Sequence, residues 1–383
     1  MIKIKNLEKV ASRILKAIKN KEKIILYGDC DLDGAVSVII LKESIKTLGG
    51  EVTDTYFPNR VKEGYGITNH ALKKLKKHAP ALLIFVDCGI GNVEEVKKAK
   101  KLGFDVIIID HHKVLEEVPE ADIIVDPKQP GDMYPFKEFA AAGVVFKLSK
   151  LLLKDKMSAS LRQNFLELTA LASVADMVPR VDENKVFIER GLDSLESSWR
   201  PGIKIFFDQD FLKEEETFQE KVSKMVSILN IQVTKNHAPA CFKVLTTSSN
   251  EELDNLIREL KRKLENKDKN IAKLVERIEE KVDGSDDPII FEGGEDYEYM
   301  LIPGAASNLC RTFEKPTFLY HQMEDDAIGT VRSTDKIDSV DLMKKCKDLL
   351  ITFGGHPKAS GFRIKNENIK KFKNCLIKNI GNI

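Results

Sequence analysis

Asp29-Cys30-Asp31-Leu32-Asp33-Gly34 sets three carboxylates at alternate positions directly behind the apolar run KIILYG (residues 23–28). Alternate side chains of an extended segment face the same way, so this spacing predicts converging carboxylates. Buried together, such charges repel strongly unless a cation offsets them. An EF-hand calcium loop shares the D-x-D-x-D-G opening but needs a Glu six residues beyond the Gly. Position 40 is Ile40 and the flank reads as a strand, which excludes that loop. A plain acidic turn remains the alternative for this segment taken alone.

Three further signals have the same character. Asp87 closes the apolar run ALLIFVD (81–87), where a lone Asp also reads as a helix N-cap. Asp110-His111-His112 closes DVIIID (105–110). Adjacent histidines point to opposite sides, so one at most shares a site with Asp110, and the other serves a phosphate or supports a ligand from behind. Asp176, in Ala-Asp-Met-Val-Pro, follows a long apolar helical stretch. Oxygen ligands with few imidazoles suit Mn²⁺ or Mg²⁺ better than Zn²⁺. The carboxylates suffice for two ions sharing a bridging ligand, an arrangement that serves phosphodiester hydrolysis. Far along the chain, Gly354-Gly355-His356 forms a glycine-rich turn whose amides can approach an anion. Arg332 and Ser333, in GTVRS, offer a guanidinium and a hydroxyl suited to phosphate. Taken singly, these also read as a tight turn and a surface arginine.

The elements around these residues follow from periodicity. Strands are expected at 23–28, 51–57, 81–87, 105–110 and 121–127, with helices at 35–48, 69–77 and 93–101 between them. Short apolar runs alternating with helices indicate an α/β fold with a parallel sheet covered on both faces. Functional sites of such sheets lie at the carboxyl ends of the strands, where the Asp-containing turns fall. Residues 140–178 read as buried helix, and 186–250 carry no clear pattern. From 251 to 282, Leu253, Ile257, Leu260, Leu264, Ile271, Leu274 and Ile278 follow heptad spacing in an uninterrupted charged helix. That helix is either a linker lying on one of the domains or a coiled coil. The expected division is 1–185, a linker region 186–282, and a smaller α/β module 283–383.

The 383 residues carry 61 Lys+Arg and 60 Asp+Glu, a net charge of +1. That balance is a cancellation. Residues 344–383 hold ten Lys/Arg and two acids, a net of +8, while the other 343 residues hold 51 basic and 58 acidic groups, a net of −7. A Lys-rich C-terminal helix taken alone also reads as a solvated face. A basic module joined to an acidic one fits an anionic polymer bound at one end and processed at the other. No apolar run reaches 18 residues, and the amphipathic start has no signal-peptide pattern, so a cytoplasmic protein is expected. Six scattered cysteines without CxxC pairs read as reduced thiols.

Taken in order, these motifs resemble the DHH phosphoesterase superfamily, and most closely its RecJ-like single-strand-specific exonucleases. The resemblance rests on YGDCDLDGAVS (27–37), FPNRVKEGYGI (57–67), VDCGI (86–90), DHH (110–112), VDPKQPGDMYPFKEFAAAGVVFKL (125–148), ADMVP (175–179), GTVRST (329–334) and GGHPKASGF (354–362). It implies a DHH domain followed by a smaller DHHA1-like substrate-binding domain. It further implies Asp29, Asp31, Asp33, Asp87, His111 and Asp176 as metal ligands, with Asp110, His111 and His112 at the catalytic centre. Arg332, Ser333, Gly354, Gly355 and His356 would hold the nucleic acid. Superfamily members outside the RecJ branch often place a His where Tyr27 stands, which RecJ-like proteins tolerate. Nothing after the GGH module resembles the OB-fold of bacterial RecJ proteins, so a short archaeal-like core is expected. The implied activity is Mn²⁺- or Mg²⁺-dependent hydrolysis of single-stranded DNA or RNA in repair or replication, by a monomer or dimer. The alternatives are an oligoribonuclease or 3′-phosphoadenosine phosphate phosphatase, or a non-catalytic replisome subunit. A partner such as GINS is compatible with the exonuclease.

Overall fold

The computed structural model describes residues 3–114, 117–231, 233–235 and 237–380. The chain divides into two compact units, Met1–Arg262 and Lys263–Ile383. Met1 and Ile2 of the expected N-terminal helix lie outside the described residues. The helix itself, α1, spans Leu7–Lys19 and buries Leu7, Val10, Ala11, Ile14 and Ala17 along one stripe.

The first unit is built on five parallel strands: β1 (Ile24–Gly28), β2 (Asp54–Tyr56), β3 (Ala81–Val86), β4 (Phe104–Ile109) and β5 (Ile123–Val125). Their spatial order is β2-β1-β3-β4-β5. Every residue of β1 and β3 is buried, as both-sided coverage requires. On one face, Ile25, Tyr27, Leu83, Phe85, Val106 and Ile108 pack with Ile67, Ala71, Leu72, Val96 and Ala99. The last four of these belong to α4 (Asn69–Leu75) and α5 (Val93–Lys101), which follow α2 (Leu32–Thr47) and the single turn α3 (Arg60–Glu63). The order reverses between β1 and β3, the topological switch point of such sheets.

One expectation changes at the first acidic motif. The extended run stops at Asp31, whose side chain accepts the Gly34 amide at 3.1 Å and caps α2. Asp33 therefore lies in the first helical turn. Gly34 allows this tight entry, because a Cβ there would stand 2.4 Å from the Asp29 carbonyl oxygen.

The stretch expected as helix over 140–178 is two buried helices, α6 (Ala141–Leu153) and α7 (Ala159–Ala175). Residues beyond them also belong to the first unit: α8 (Asp182–Leu192), α9 (Pro201–Asp208), α10 (Asp210–Lys213) and α11 (Phe218–Leu229). A two-residue ladder of β6 (Thr234–Lys235) with β7 (Ala238–Pro239) precedes α12 (Ala240–Thr246). The long helix α13 is continuous over Asn250–Val282, and the division between units falls inside it. Its heptad residues Leu253, Ile257 and Leu260 are buried, and Ile271, Leu274 and Ile278 join a core of the second unit.

The second unit contains β8 (Ile290–Gly294), α14 (Ile302–Phe313), β9 (Thr317–Gln322), β10 (Asp326–Arg332), α15 (Ser339–Lys344), β11 (Leu350–His356), β12 (Ala359–Lys365) and α16 (Ile369–Ile380). Its sheet has the order β11-β12-β10-β9-β8, antiparallel except for the β8–β9 pair. Two cysteines depart from the expected reduced state: Cys346 and Cys375 form a disulfide, with Cα atoms 6.1 Å apart. The segment after α15 lies against α16, which brings together residues 29 apart in sequence without any paired-cysteine motif. Cys30, Cys88, Cys241 and Cys310 are free and buried.

The entry to α2 gives a stability test. Gly34→Ala should lower the unfolding free energy by about 1–3 kcal/mol, because backbone atoms of Asp29 cannot yield to the new methyl. Gly91→Ala, with nothing within 4 Å of its added Cβ, should stay within about 0.5 kcal/mol of the parent. Urea unfolding of both checks this, and equal midpoints would contradict it.

Candidate metal centre

Strands β1, β3, β4 and β5 each run into an aspartate within one residue of their ends: Asp29, Asp87, Asp110 and Asp126, all buried. Parallel pairing aligns the ends, with Gly28 opposite Val86, Val86 opposite Ile109, and Ile109 opposite Val125. The four carboxylates therefore line one edge of the sheet. Asp87 adopts a left-handed backbone (φ 61), which is uncommon outside glycine but more accessible to Asp than to most residues.

Each carboxylate is held differently. Asp29 and Asp31 share the guanidinium of Arg60, at 3.2 Å from Arg60 Nε to Asp29 and 3.0 Å from Arg60 to Asp31, with a second, shorter contact to Asp29. Asp33 accepts the amides of Ala141 and Ala142 at 2.7 and 2.8 Å, so the N-terminus of α6 meets an anion. Asp110 accepts the Ile90 amide at 3.0 Å and the His111 amide at 2.7 Å, and sits 2.7 Å from His112 Nδ1. Asp87 Oδ1 is buried without a hydrogen-bond partner.

His111 meets the second carboxylate group. Its Nδ1 lies 2.7 Å from the Phe139 carbonyl, which can only accept, so Nδ1 carries a proton. In the neutral ring, Nε2 then presents its lone pair 3.1 Å from Asp87 Oδ1 and 3.8 Å from Asp33 Oδ2. Two lone pairs facing at that distance need positive charge between their owners, which a second ring proton or a divalent ion supplies. Ligand atoms of Asp33, His111 and Asp176 all lie within 4.8 Å of one another, and so do those of Asp29, Asp31 and Asp87. Asp87 and His111 join the two sets. The set fits divalent ions that prefer oxygen with one imidazole.

The electrostatics agree with a site built for positive charge. Burial raises Asp87, and Asp33, Asp31, Asp29 and Asp110 push it further, well above the carboxylate range. Burial and then Asp176 and Asp31 raise Asp33, against the opposition of two helix amides. Burial lifts Asp176 to about 7 despite His112. Asp110 runs the other way: burial would raise it, but His112, His111 and the Ile90 amide hold it well below its usual value. Burial works against charge on His112, yet Asp110 overrides it and the ring is pushed up to about 9.

The six expected ligands, with Asp110 and His112, thus come together in the first unit. In the second unit, Arg332 ends β10 and His356 ends β11, both level with Ala359 on the strand β12 between them. Arg332 bonds Ser307 and Thr330 at 3.0 and 3.1 Å and pairs with no carboxylate among the described residues. Ser333 spends its hydroxyl on the Ile337 carbonyl at 2.8 Å, which ties it to its own turn. Gly355 has φ 128, and a Cβ there would meet the Ala359 carbonyl at 2.7 Å. Gly354 pairs with Gly361 in the same hairpin. Sequence reasoning assigned no role to Arg60, Tyr65 or Asp126. The strand-end signal that selected Asp87 and Asp110 was equally present at Asp126, whose Oδ2 is buried without a partner and whose pKa burial and Asp110 raise to about 7.

Two family models match the chain. Residues 23–173 match the DHH family, N-terminal domain, and residues 286–382 match the DHHA1 domain. The chain thus carries a DHH-family domain followed by a DHHA1 domain. It is 34% identical to the single-stranded-DNA-specific exonuclease RecJ of Bacillus subtilis over 97% of its length, covering 47% of that relative. Identity to the Thermus thermophilus RecJ is 25%, over 97% of this chain and 54% of the relative. The chain thus spans about half the length of these two relatives. Among solved structures, RecJ in complex with Mn²⁺ from Thermus thermophilus aligns with a TM-score of 0.84 at 23% identity, over 100% of this chain and 55% of that one. An exonuclease RecJ bound to manganese aligns at 0.78 and 23%, over 100% and 96%. CDC45 from Entamoeba histolytica shares the fold more distantly, at 0.56 and 12%, over 97% and 98%. No helix among the described residues is long and apolar enough to cross a membrane.

Asp87 offers a test of the centre's charge. Its folded pKa stands well above that of an unfolded Asp, near 3.9. A raised pKa adds stability below the unfolded value and loses it as pH climbs through the folded one. With EDTA present, Asp87→Asn should therefore melt near the parent at about pH 4 and above it by on the order of a few °C at pH 8. Adding Mn²⁺ should raise the parent's Tm and largely fail to raise the variant's. A variant less stable than its parent at pH 8 in EDTA would contradict the assignment.

Proposed function

We propose that the chain hydrolyses phosphodiester bonds of single-stranded DNA or RNA as a two-ion exonuclease. The observation that carries this reading is the pair of ligand sets joined through Asp87 and His111 at the strand ends. Asp29, Asp31 and Asp87 would hold one divalent ion, and Asp33, His111 and Asp176 the other. When bound, such ions supply Lewis acidity to the phosphoryl oxygens and lower the pKa of an attacking water.

The protein's own contribution is orientation and charge. The Phe139 carbonyl fixes the His111 tautomer so that Nε2 faces the carboxylates. The α6 amides fix Asp33 in one rotamer. His112, held charged by Asp110, would stand ready to donate a hydrogen bond to a phosphate oxygen or a proton to the leaving oxygen. In the second unit, Arg332 carries a guanidinium with no acid beside it among the described residues, and the Gly354-Gly355-His356 turn offers close backbone approach. Both features suit a phosphodiester backbone. The reading needs neither a GINS-type partner nor a dimer. The named activity of the RecJ relatives supports it, as does the presence of every carboxylate the two ions need, which a non-catalytic relative has no reason to keep.

Digestion of end-labelled single-stranded DNA and RNA with Mn²⁺ or Mg²⁺ tests the proposal. Asp87→Ala and His111→Ala should each lower kcat by about 10²–10³-fold, the equivalent of several kcal/mol of transition-state stabilisation. Arg332→Ala should instead raise KM by roughly tenfold, with a smaller change in kcat. Undiminished rates for both Asp87→Ala and His111→Ala would overturn the reading, and cleavage confined to oligomers of two to five nucleotides would move it to an oligoribonuclease.

A further inference from the structure

Tyr65 is 53% exposed on the rim of the carboxylate cluster. It sits between Gly64 (φ 93) and Gly66 (φ 74) in the loop from α3 to α4. The loop is pinned on its inner side. The hydroxyl of Tyr27, wholly buried on β1, donates to the Gly66 carbonyl at 2.8 Å, and Asn92 Oδ1 accepts the Ile67 amide at 3.1 Å. There is no slack at this point, since a Cβ on Gly66 would stand 2.5 Å from Asn92 Oδ1.

The ring is held as firmly as the loop. Its hydroxyl lies 3.1 Å from His112 Nε2, and the two rings meet edge to face at 6.1 Å. The Arg60 guanidinium carbon is 5.1 Å from the ring centroid. Arg60 is itself anchored on Asp29 and Asp31, and His112 on Asp110. The aromatic plane is therefore fixed relative to the metal ligands, with more than half of the residue still facing solvent.

A purely structural role explains only the hydroxyl. Orienting His112 requires an O–H, and a ring serving that end alone gains by being buried, since burial of an aromatic side chain is strongly favourable. Rigid, exposed and backed by a guanidinium, the ring matches what a flat heteroaromatic partner needs. Nucleobases stack on such rings with about 1–3 kcal/mol each and little regard to sequence, helped by a neighbouring Arg.

We propose that Tyr65 is a nucleobase platform: it stacks a base of the strand being cut, so selectivity for unpaired nucleic acid resides in this ring as well as in backbone contacts. The inference rests on the nuclease reading of the adjacent centre. A base stacked and paired inside a duplex has no free face to offer, whereas an unpaired one does. Tyr65 thus converts single-strandedness into binding energy beside the bond to be broken.

The test compares a short single-stranded DNA with one whose two nucleotides at both ends are abasic tetrahydrofuran residues, using parent, Tyr65→Ala and Tyr65→Phe. Oligomers carrying terminal 2-aminopurine, bound in Ca²⁺, report stacking by fluorescence quenching. The parent should cut the base-bearing strand about 5–150-fold more efficiently, the range that 1–3 kcal/mol of stacking gives. Tyr65→Ala should bring that ratio towards one and lose the quenching. Tyr65→Phe should retain both, while its altered contact to His112 shows in kcat. If Tyr65→Ala slows both strands by one factor, or Tyr65→Phe loses the ratio as fully as Tyr65→Ala, the ring is no platform. Cutting without base dependence overturns the platform and leaves the nuclease reading standing. Quenching that depends on Tyr65 in a protein that cuts nothing supports the platform and overturns the nuclease reading.

Discussion

Like charges without water organise the first unit. Among the described residues five aspartates are buried, and all five (Asp29, Asp33, Asp87, Asp110 and Asp126) lie at one edge of the parallel sheet or in the helical turn beside it. Low-dielectric surroundings make each charge expensive and the mutual repulsion long-ranged. Each nearby element offers one partial remedy: Arg60 for Asp29 and Asp31, the α6 N-terminus for Asp33, and His112 with the Ile90 amide for Asp110. Asp87 Oδ1 receives none, and it lies where the two ligand sets meet. Asp126 Oδ2 is likewise buried without a partner, but of these two atoms only Asp87 Oδ1 lies between the ligand sets, where an added cation would offset the charge.

This also accounts for the choice of fold. A parallel sheet with the order β2-β1-β3-β4-β5 brings the carboxyl ends of its strands to one edge, and its switch point opens a crevice between β1 and β3. The first acidic motif follows β1 and Asp87 follows β3, so the closest repulsions fall where connecting chain departs to opposite sides. The strands that carry these residues are wholly buried, which fixes their register and hence the ligand positions to within rotamer freedom.

Much of this arrangement was legible in the residues themselves. Runs such as ALLIFV and DVIIID announce buried strands, and the carboxylates following them announce a shared edge, because parallel strands put like ends together. The helix over Val93–Lys101 falls where its period predicts. What escaped depends on contacts distant in sequence. Asp33 was read as part of an extended run, yet its role comes from amides more than 100 residues away in α6. The Cys346–Cys375 disulfide joins segments whose proximity arises only when α16 packs beside α15, and no spacing rule encodes that. The region 186–250 lacked a pattern because its helices are short and bury irregular sets of residues, such as Arg200 bonded at once to Asn164, Glu43 and the Leu245 carbonyl. Exposure of an aromatic such as Tyr65 is equally invisible to periodicity, which predicts what is buried and not what is deliberately left out.

The uneven charge takes on a physical meaning beside this geometry. The acidic excess of the first 343 residues includes carboxylates that, buried and crowded, hold protons or cations more readily than isolated ones, as the raised pKa values of Asp33, Asp87, Asp126 and Asp176 express. Their formal charge therefore overstates the negative field an approaching polyanion meets. The lysines of α16 behave differently. That helix buries Phe372 and Leu376 and leaves Lys370 and Lys371 exposed to water. Adding the two populations to reach +1 treats crowded, partly neutralised carboxylates and solvated lysines as equal. Weighted by environment, the acidic excess shrinks and the basic one persists, which is the distribution that the proposed reading asks of a nearly neutral chain.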